Sequence, residues 1–223
     1  MPGAWVFPGG AVDDADASAP TAFGAGGDWR VAALRELMEE TGVWLTISGT
    51  EYMTVGGDAL GALASSGHTM DPERLIYFSN WITPEVFPIR FDTRFFLALV
   101  PPETSASVDG DELIDLAWVQ PSVALEREGT GEWPVAFPTR ETLKMLGEAT
   151  SAAALVEHVS SIGAVPPIEP RLFVSESEAK ILMPDDEGFD DAGPAQSDPD
   201  ILKRLAKVVS EGGHVPAELG GRG

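Results

Sequence analysis

Arg35-Glu36-Leu37-Met38-Glu39-Glu40-Thr41-Gly42-Val43 is the stretch whose reading decides the fold of this chain. Its three glutamates stand at i, i+3 and i+4, a spacing that gathers their carboxylates on one side of a helix. With Leu34 as the zero of a helical wheel, Leu37, Met38 and Thr41 fall in one stripe and the glutamates fall opposite. One face therefore suits a core, and the other is a dense patch of negative charge. Like charges so close are destabilising unless something neutralises them. A hard divalent cation with oxygen ligands does so most simply, and Mg2+ typically takes a few carboxylates plus substrate phosphates. Gly42 ends the helix, because a left-handed position after the last turn favours glycine. The plainer alternative is a surface helix with a solvated acidic face, but such helices usually carry compensating lysines.

The segment resembles the second half of the Nudix box, the loop-helix-loop signature R-E-U-x-E-E-x-G-U of Nudix hydrolases, with U an aliphatic residue. Every fixed position is met. Upstream, Phe7-Pro8-Gly9-Gly10 resembles the Gly-Gly turn that opens the same box. The resemblance implies an α+β Nudix fold, an α/β/α sandwich with a mixed sheet and the box helix beside it. It also implies hydrolysis of a diphosphate joined to another moiety, with Mg2+ or Mn2+ as cofactor. Carried over position by position, Glu36, Glu39 and Glu40 would be the metal ligands and catalytic carboxylates, with the Gly10 carbonyl completing the coordination. Arg35 would hold a glutamate in place through a bidentate pair, and Gly42 would close the helix.

The bulk numbers narrow the class, and with so much negative charge an anionic substrate needs a metal or local basic residues to approach. The chain has 223 residues, enough for one domain with a full core plus accessory elements. Hydrophobic content of 43% and mean hydropathy of +0.01 mark a globular chain. A net charge of −22 repels nucleic-acid backbones and anionic membranes, so neither is an expected partner. The expected partner is a small-molecule nucleotide substrate, and a homodimer is left open. The absence of cysteine removes disulfides, thiolate catalysis and cysteine metal sites. Without a long apolar run, a leader-like start or a peroxisomal C-terminal address, the expected location is cytoplasmic.

Along the chain, 4–7 reads as the end of a strand entering the Gly-Gly turn, and 13–27 as an exposed Ala/Gly/Ser/Asp loop. Asp28 is the expected cap of a helix over 29–41. Strands are expected at 44–47, 75–81, 94–100 and 113–119, with a short helix at 60–64. Helices are expected from Pro121, from Pro138 and over 151–158. Past Pro166-Pro167 the character shifts: 171–175 and 180–183 suit a terminal hairpin, 185–200 a solvated acidic loop, and 201–209 a short basic helix. The expected division is a Nudix domain over 1–165, with an insertion at 14–27, and a partly disordered C-terminal extension over 166–223. Nudix domains carry a strand before the Gly-Gly turn, so the domain's first strand is expected to be truncated and Met1 to be a misassigned start.

Two departures from the family pattern bear on chemistry. The Gly of the turn usually lies 14 positions before the Arg, whereas Gly10 and Arg35 are 25 apart, an insertion of 11 residues. The glutamate expected eight positions before the Arg falls at Gly27, and Asp28 is the candidate substitute. The split box, with Ser79-Asn80-Trp81-Ile82-Thr83-Pro84 and Arg90-Phe91-Asp92-Thr93-Arg94-Phe95-Phe96, resembles the acyl-coenzyme A diphosphatase branch. Gly3-Ala4-Trp5-Val6-Phe7-Pro8-Gly9-Gly10 fits the end of the coenzyme A diphosphatase signature. That branch cuts coenzyme A or acyl-coenzyme A to 3′,5′-adenosine bisphosphate and (acyl-)phosphopantetheine. Within the family the alternative is ADP-ribose, NADH or another nucleoside diphosphate derivative. In another class stands a Nudix-fold module that binds a nucleotide without cutting it, and blander still is a fragment with little activity. An acidic residue from a later loop often completes such a site, and Glu112 is the candidate, against a solvated Asp109-Gly110-Asp111 turn. Arg90 and Arg94 are the candidates for substrate phosphate, against pairing with Asp92 or other carboxylates. His68, His158 and His214 have no metal spacing and read as packing or surface residues. Phe91, Phe95 and Phe96 read as core.

Overall fold

The computed structural model describes residues 3–19, 29–53, 58–85, 87, 89–108, 110, 113–174 and 179–192. The architecture is α+β. In order come α1 (Trp29–Thr41), β1 (Val43–Thr46), β2 (Gly49–Tyr52), α2 (Ala59–Ser66), β3 (Ile76–Ile82), β4 (Asp92–Leu97), α3 (Pro121–Gly129), α4 (Phe137–Gly147), α5 (Ala152–Ser160), β5 (Arg171–Val174) and β6 (Ala179–Leu182). The strands pair as three antiparallel hairpins, β1 with β2, β3 with β4 and β5 with β6. Parallel pairing is confined to single bridges, Trp5 with Val135 and Trp81 with Ile168. No described helix is long and apolar enough to cross a membrane.

α1 forms where the 3.6-residue period demands it. Leu34, Met38 and Thr41 are almost completely buried, at 1%, 1% and 3% exposed. Gly42 takes φ 69° and its N–H reaches the Met38 carbonyl at 2.9 Å, so a left-handed residue closes the helix. A side chain there would press on the Met53 carbonyl, 2.9 Å from a Cβ. The helix stripe packs with the wholly buried β1 (Val43, Trp44, Leu45), with Leu63 of α2 and with Met70. A second, smaller cluster is built from Ala124 of α3, Trp133 and Leu143 of α4, with Trp5, Phe7 and Leu125 against it. Trp5 stacks on Trp133 with ring centroids 4.0 Å apart, and its N–H donates to the Pro134 carbonyl at 2.9 Å.

Several expectations change here. β2 stands where no strand is expected: Gly49-Thr50-Glu51-Tyr52 is polar and half-exposed, so only its pairing with buried β1 makes it a strand. Residues 113–119 form no strand among the described residues. Ile114 is 84% and Trp118 66% exposed, and without a neighbour to complete a ladder a strand-like composition does not become a strand. Of 4–7, only Trp5 bridges a partner. Within the expected exposed loop, residues 13–19 contain a 3-10 turn, Asp14–Ser18; Asp13, Asp14, Ala15 and Ala17 are exposed, while Asp16 and Ala19 are buried. Phe91 is 65% exposed rather than core. The hairpin past Pro166 is present, and Ile168 pairs along the edge of β3, exchanging bonds of 2.8 Å with Asn80 and Ile82. Asp28, Glu112, His214 and 201–209 lie outside the described residues.

Candidate active site

Two chain segments meet at the polar side of α1. The first is the turn Pro8-Gly9-Gly10, carried by Trp5 and Phe7 of the smaller cluster. The Gly9 N–H donates to Glu40 Oε2 at 2.9 Å. Gly10 lies so close beneath Glu36 that a Cβ would collide with its carboxylate. Glycine at position 10 thus lets the backbone approach the acidic face directly; a side chain there would have to displace the Glu36 carboxylate. The glutamate face of α1 is consequently only partly solvated. Glu40 is 7% exposed and Glu36 and Glu39 are half-buried.

The second segment is the 3-10 turn Asp14–Ser18 that follows the Gly-Gly turn. Asp13 caps it in a reciprocal box, its side chain accepting from the Ala15 N–H at 2.8 Å while Asp16 Oδ2 accepts from the Asp13 N–H at 2.8 Å. That box points the wholly buried Asp16 at Arg35. Arg35 Nε donates to Asp16 Oδ1 at 2.7 Å, and Nη2 donates to Asp16 Oδ2 at 3.3 Å and to the Ala11 carbonyl at 2.8 Å. Its remaining nitrogen, Nη1, donates to Glu36 Oε1 and to Glu39 Oε2, both at 2.9 Å. The hydrogen bond to Asp16 is the largest influence on Arg35 and raises its pKa; burial opposes, and Glu39 and Glu36 add to the rise. A guanidinium is the one side chain with enough donors in a fixed fork to hold this set at once.

Asp16 is the residue that the sequence reading missed, although a signal was present. A glutamate eight positions before the Arg, with the Gly 14 before it, stands six after the Gly. Six after Gly10 is Asp16. Counted from the Arg, the acidic position falls at Gly27; counted from the Gly, it is filled. The insertion therefore lies between Asp16 and Arg35, and the ion pair spans it. The expectation that Arg35 supports a glutamate matches these contacts, with two glutamates and one aspartate on one guanidinium.

The structure brings Glu36, Glu39, Glu40, Gly10 and Arg35 together. Arg90 and Arg94 are committed to other partners. Arg90 donates through Nε to the Thr83 carbonyl at 2.7 Å and pairs with Glu169 at 2.5 Å. Arg94 pairs with Asp92 at 3.0 Å and lies over the Trp29 ring, 3.7 Å from its centroid. Both thus take the carboxylate pairing that stood as the alternative to substrate contact. His68 packs edge-on against Trp44 at 6.3 Å, a packing role. As for a metal, the donor chemistry is that of a hard divalent ion, and the missing Cβ at Gly10 leaves a backbone approach that a side chain would fill. Among the described residues, however, no three acidic or imidazole groups form a closed cluster able to hold an ion. Glu36 and Glu39 are turned to Arg35 and Glu40 to Gly9.

Comparison with known proteins fits this geometry. A family model described as the NUDIX domain matches residues 1–137. A Caenorhabditis elegans protein described as "Putative nudix hydrolase 7" is 31% identical over 159 residues, which cover 66% of this chain and 52% of that protein. This chain thus spans about half the length of that curated relative. The crystal structure of a NUDIX hydrolase from Alicyclobacillus acidocaldarius is similar with a TM-score of 0.58 and 32% identity, covering 74% of this chain and 84% of that one. The chain belongs to the Nudix family.

Proposed function

We propose that this chain is a metal-dependent pyrophosphatase that hydrolyses the diphosphate of coenzyme A or acyl-coenzyme A. The products are 3′,5′-adenosine bisphosphate and (acyl-)phosphopantetheine. The observation that carries the hydrolase reading is the gathering of Glu36, Glu39 and Glu40 against the Gly9-Gly10 turn, with Arg35 fixed by Asp16 at their centre. Glu36, Glu39 and Glu40, with the Gly10 carbonyl, would hold Mg2+ or Mn2+. Holding the ion would require Glu36 and Glu39 to give up their bonds to Arg35 Nη1. Such an ion neutralises diphosphate oxygens and makes water a better nucleophile. One carboxylate of the three, or Glu112 from the later loop, orients the attacking water and takes its proton. Arg35, held by Asp16 on two nitrogens, would keep the helix face in register with the turn.

The coenzyme A assignment rests on the resemblance of 3–10, 79–84 and 90–96 to that branch of the family. A recognition surface for it must distinguish more than the diphosphate, which all candidate substrates share. Contact of Arg90 or Arg94 with the 3′-phosphate requires exchange of Glu169 or Asp92 for phosphate oxygens, a substitution of one charge-assisted bond for another. A panel of coenzyme A, acetyl-coenzyme A, dephospho-coenzyme A, ADP-ribose and NADH tests this. The expected kcat/KM for coenzyme A exceeds that for ADP-ribose at least about tenfold, the differential worth of one or two such contacts. Preference for ADP-ribose or NADH overturns the substrate and leaves the family chemistry standing.

A further inference from the structure

Trp29 opens α1 and is 51% exposed, an indole at the head of the helix that carries the acidic site. Exposure alone means little, since single exposed apolar residues are ordinary. Three further facts set this one apart. Its ring is braced: the Arg94 guanidinium covers one face at 3.7 Å, and Asp92 holds that guanidinium at 3.0 Å. A ring fixed before a ligand arrives loses little rotamer freedom when one binds. Second, Trp29, Glu36 and Glu40 stand at i, i+7 and i+11, so each glutamate lies within about 20° of Trp29 around the axis, one on either side of it, on a single stripe. Third, seven residues of rise separate Trp29 from Glu36, about 10 Å, the reach of a nucleotide from its diphosphate to its base.

From this arrangement we infer that Trp29, braced by Arg94, is the platform on which the heterocyclic base of a nucleoside diphosphate substrate stacks. The diphosphate then lies along the same stripe toward Glu36 and Glu40. The inference rests on the hydrolase reading above and adds the residue that recognises the base. Arg94 acts as a positioning residue: its charge is matched by Asp92, and its plane backs the indole. The face of the indole opposite Arg94 receives the base, and stacking of this kind tolerates any base because each has a π-face.

The test compares ADP with inorganic pyrophosphate, which has the diphosphate and no base. Calorimetric affinities are measured for the full chain with Mg2+ present, in the wild type, Trp29→Ala and Trp29→Phe. Trp29→Ala is expected to weaken ADP about tenfold, the order of one base–aromatic stack, and to leave pyrophosphate within about twofold. Trp29→Phe is expected to recover most of the loss. In hydrolysis of ADP-ribose, Trp29→Ala raises KM and leaves kcat nearly unchanged. Equal losses for ADP and pyrophosphate, or no loss for either, overturn the platform. A wild type that hydrolyses nucleoside diphosphate derivatives while Trp29→Ala behaves identically defeats this inference alone. A wild type that hydrolyses none defeats the hydrolase reading, and the platform falls with it.

Discussion

The larger packed cluster and the smaller one do different work for the same site. In the larger, Leu34 and Met38 of α1 lock against Val43, Trp44 and Leu45 of β1 and Leu63 of α2. That cluster sets where the helix lies, and the insertion joins it through buried Ala19. The smaller cluster has three buried members, Ala124, Trp133 and Leu143. It holds no catalytic candidate of its own, yet Trp5 and Phe7 pack on it, and the turn that follows them supplies Gly9 and Gly10. The carboxylates thus come from one cluster and the backbone that approaches them comes from the other. Buried area sets how much stability each contributes, while registry between the two sets whether the site is assembled.

The largest expected effect is at the joint itself. Arg35→Ala leaves Asp16 buried without its cation and should cost about 3–5 kcal/mol of stability in a urea titration. Asp16→Ala should cost less, because Arg35 keeps Glu36 and Glu39 as partners. Little or no loss from Asp16→Ala would show that the 3-10 turn is not tied to the helix through this pair. Smaller and more discriminating is a matched pair of substitutions, one in each cluster. Leu34→Ala should lose about 2–5 kcal/mol from lost burial and the cavity left, with kcat per folded molecule nearly unchanged. Trp5→Leu, which removes the stack on Trp133, should lose about 1 kcal/mol yet lower kcat, because the Gly9-Gly10 turn is no longer anchored. If Leu34→Ala lowers kcat more than Trp5→Leu does, the division of labour between the clusters is wrong.

What the sequence displayed and what it hid follow from the range of the interactions. The period of Leu34, Met38 and Thr41 and the stop at Gly42 are local, and α1 is legible to its last residue. The β3–β4 hairpin is legible for the same reason, in its aromatic and aliphatic runs. β2 is not, because Gly49-Thr50-Glu51-Tyr52 becomes a strand only through its partner. Residues 113–119 show the converse: apolar alternation with no described neighbour to pair with. Asp16 was legible only by counting forward from Gly10 rather than back from Arg35, since an insertion shifts one count and spares the other. The partner of Arg90 is Glu169, 79 positions away, and no local pattern announces an ion pair of that span.

The central claim is that the carboxylates gathered on α1 carry the chemistry with a divalent ion, and one measurement meets it directly. Hydrolysis of coenzyme A is followed with Mg2+ or Mn2+, then in excess chelator, for the wild type, Glu39→Gln and Glu40→Gln. Both variants are checked by circular dichroism for an unchanged fold. The account predicts that chelation abolishes turnover and that each glutamine lowers kcat at least about 100-fold, the size of effect expected when charge stabilisation is lost from a metal site. Hydrolysis that persists undiminished in chelator, or in both glutamine variants, contradicts it.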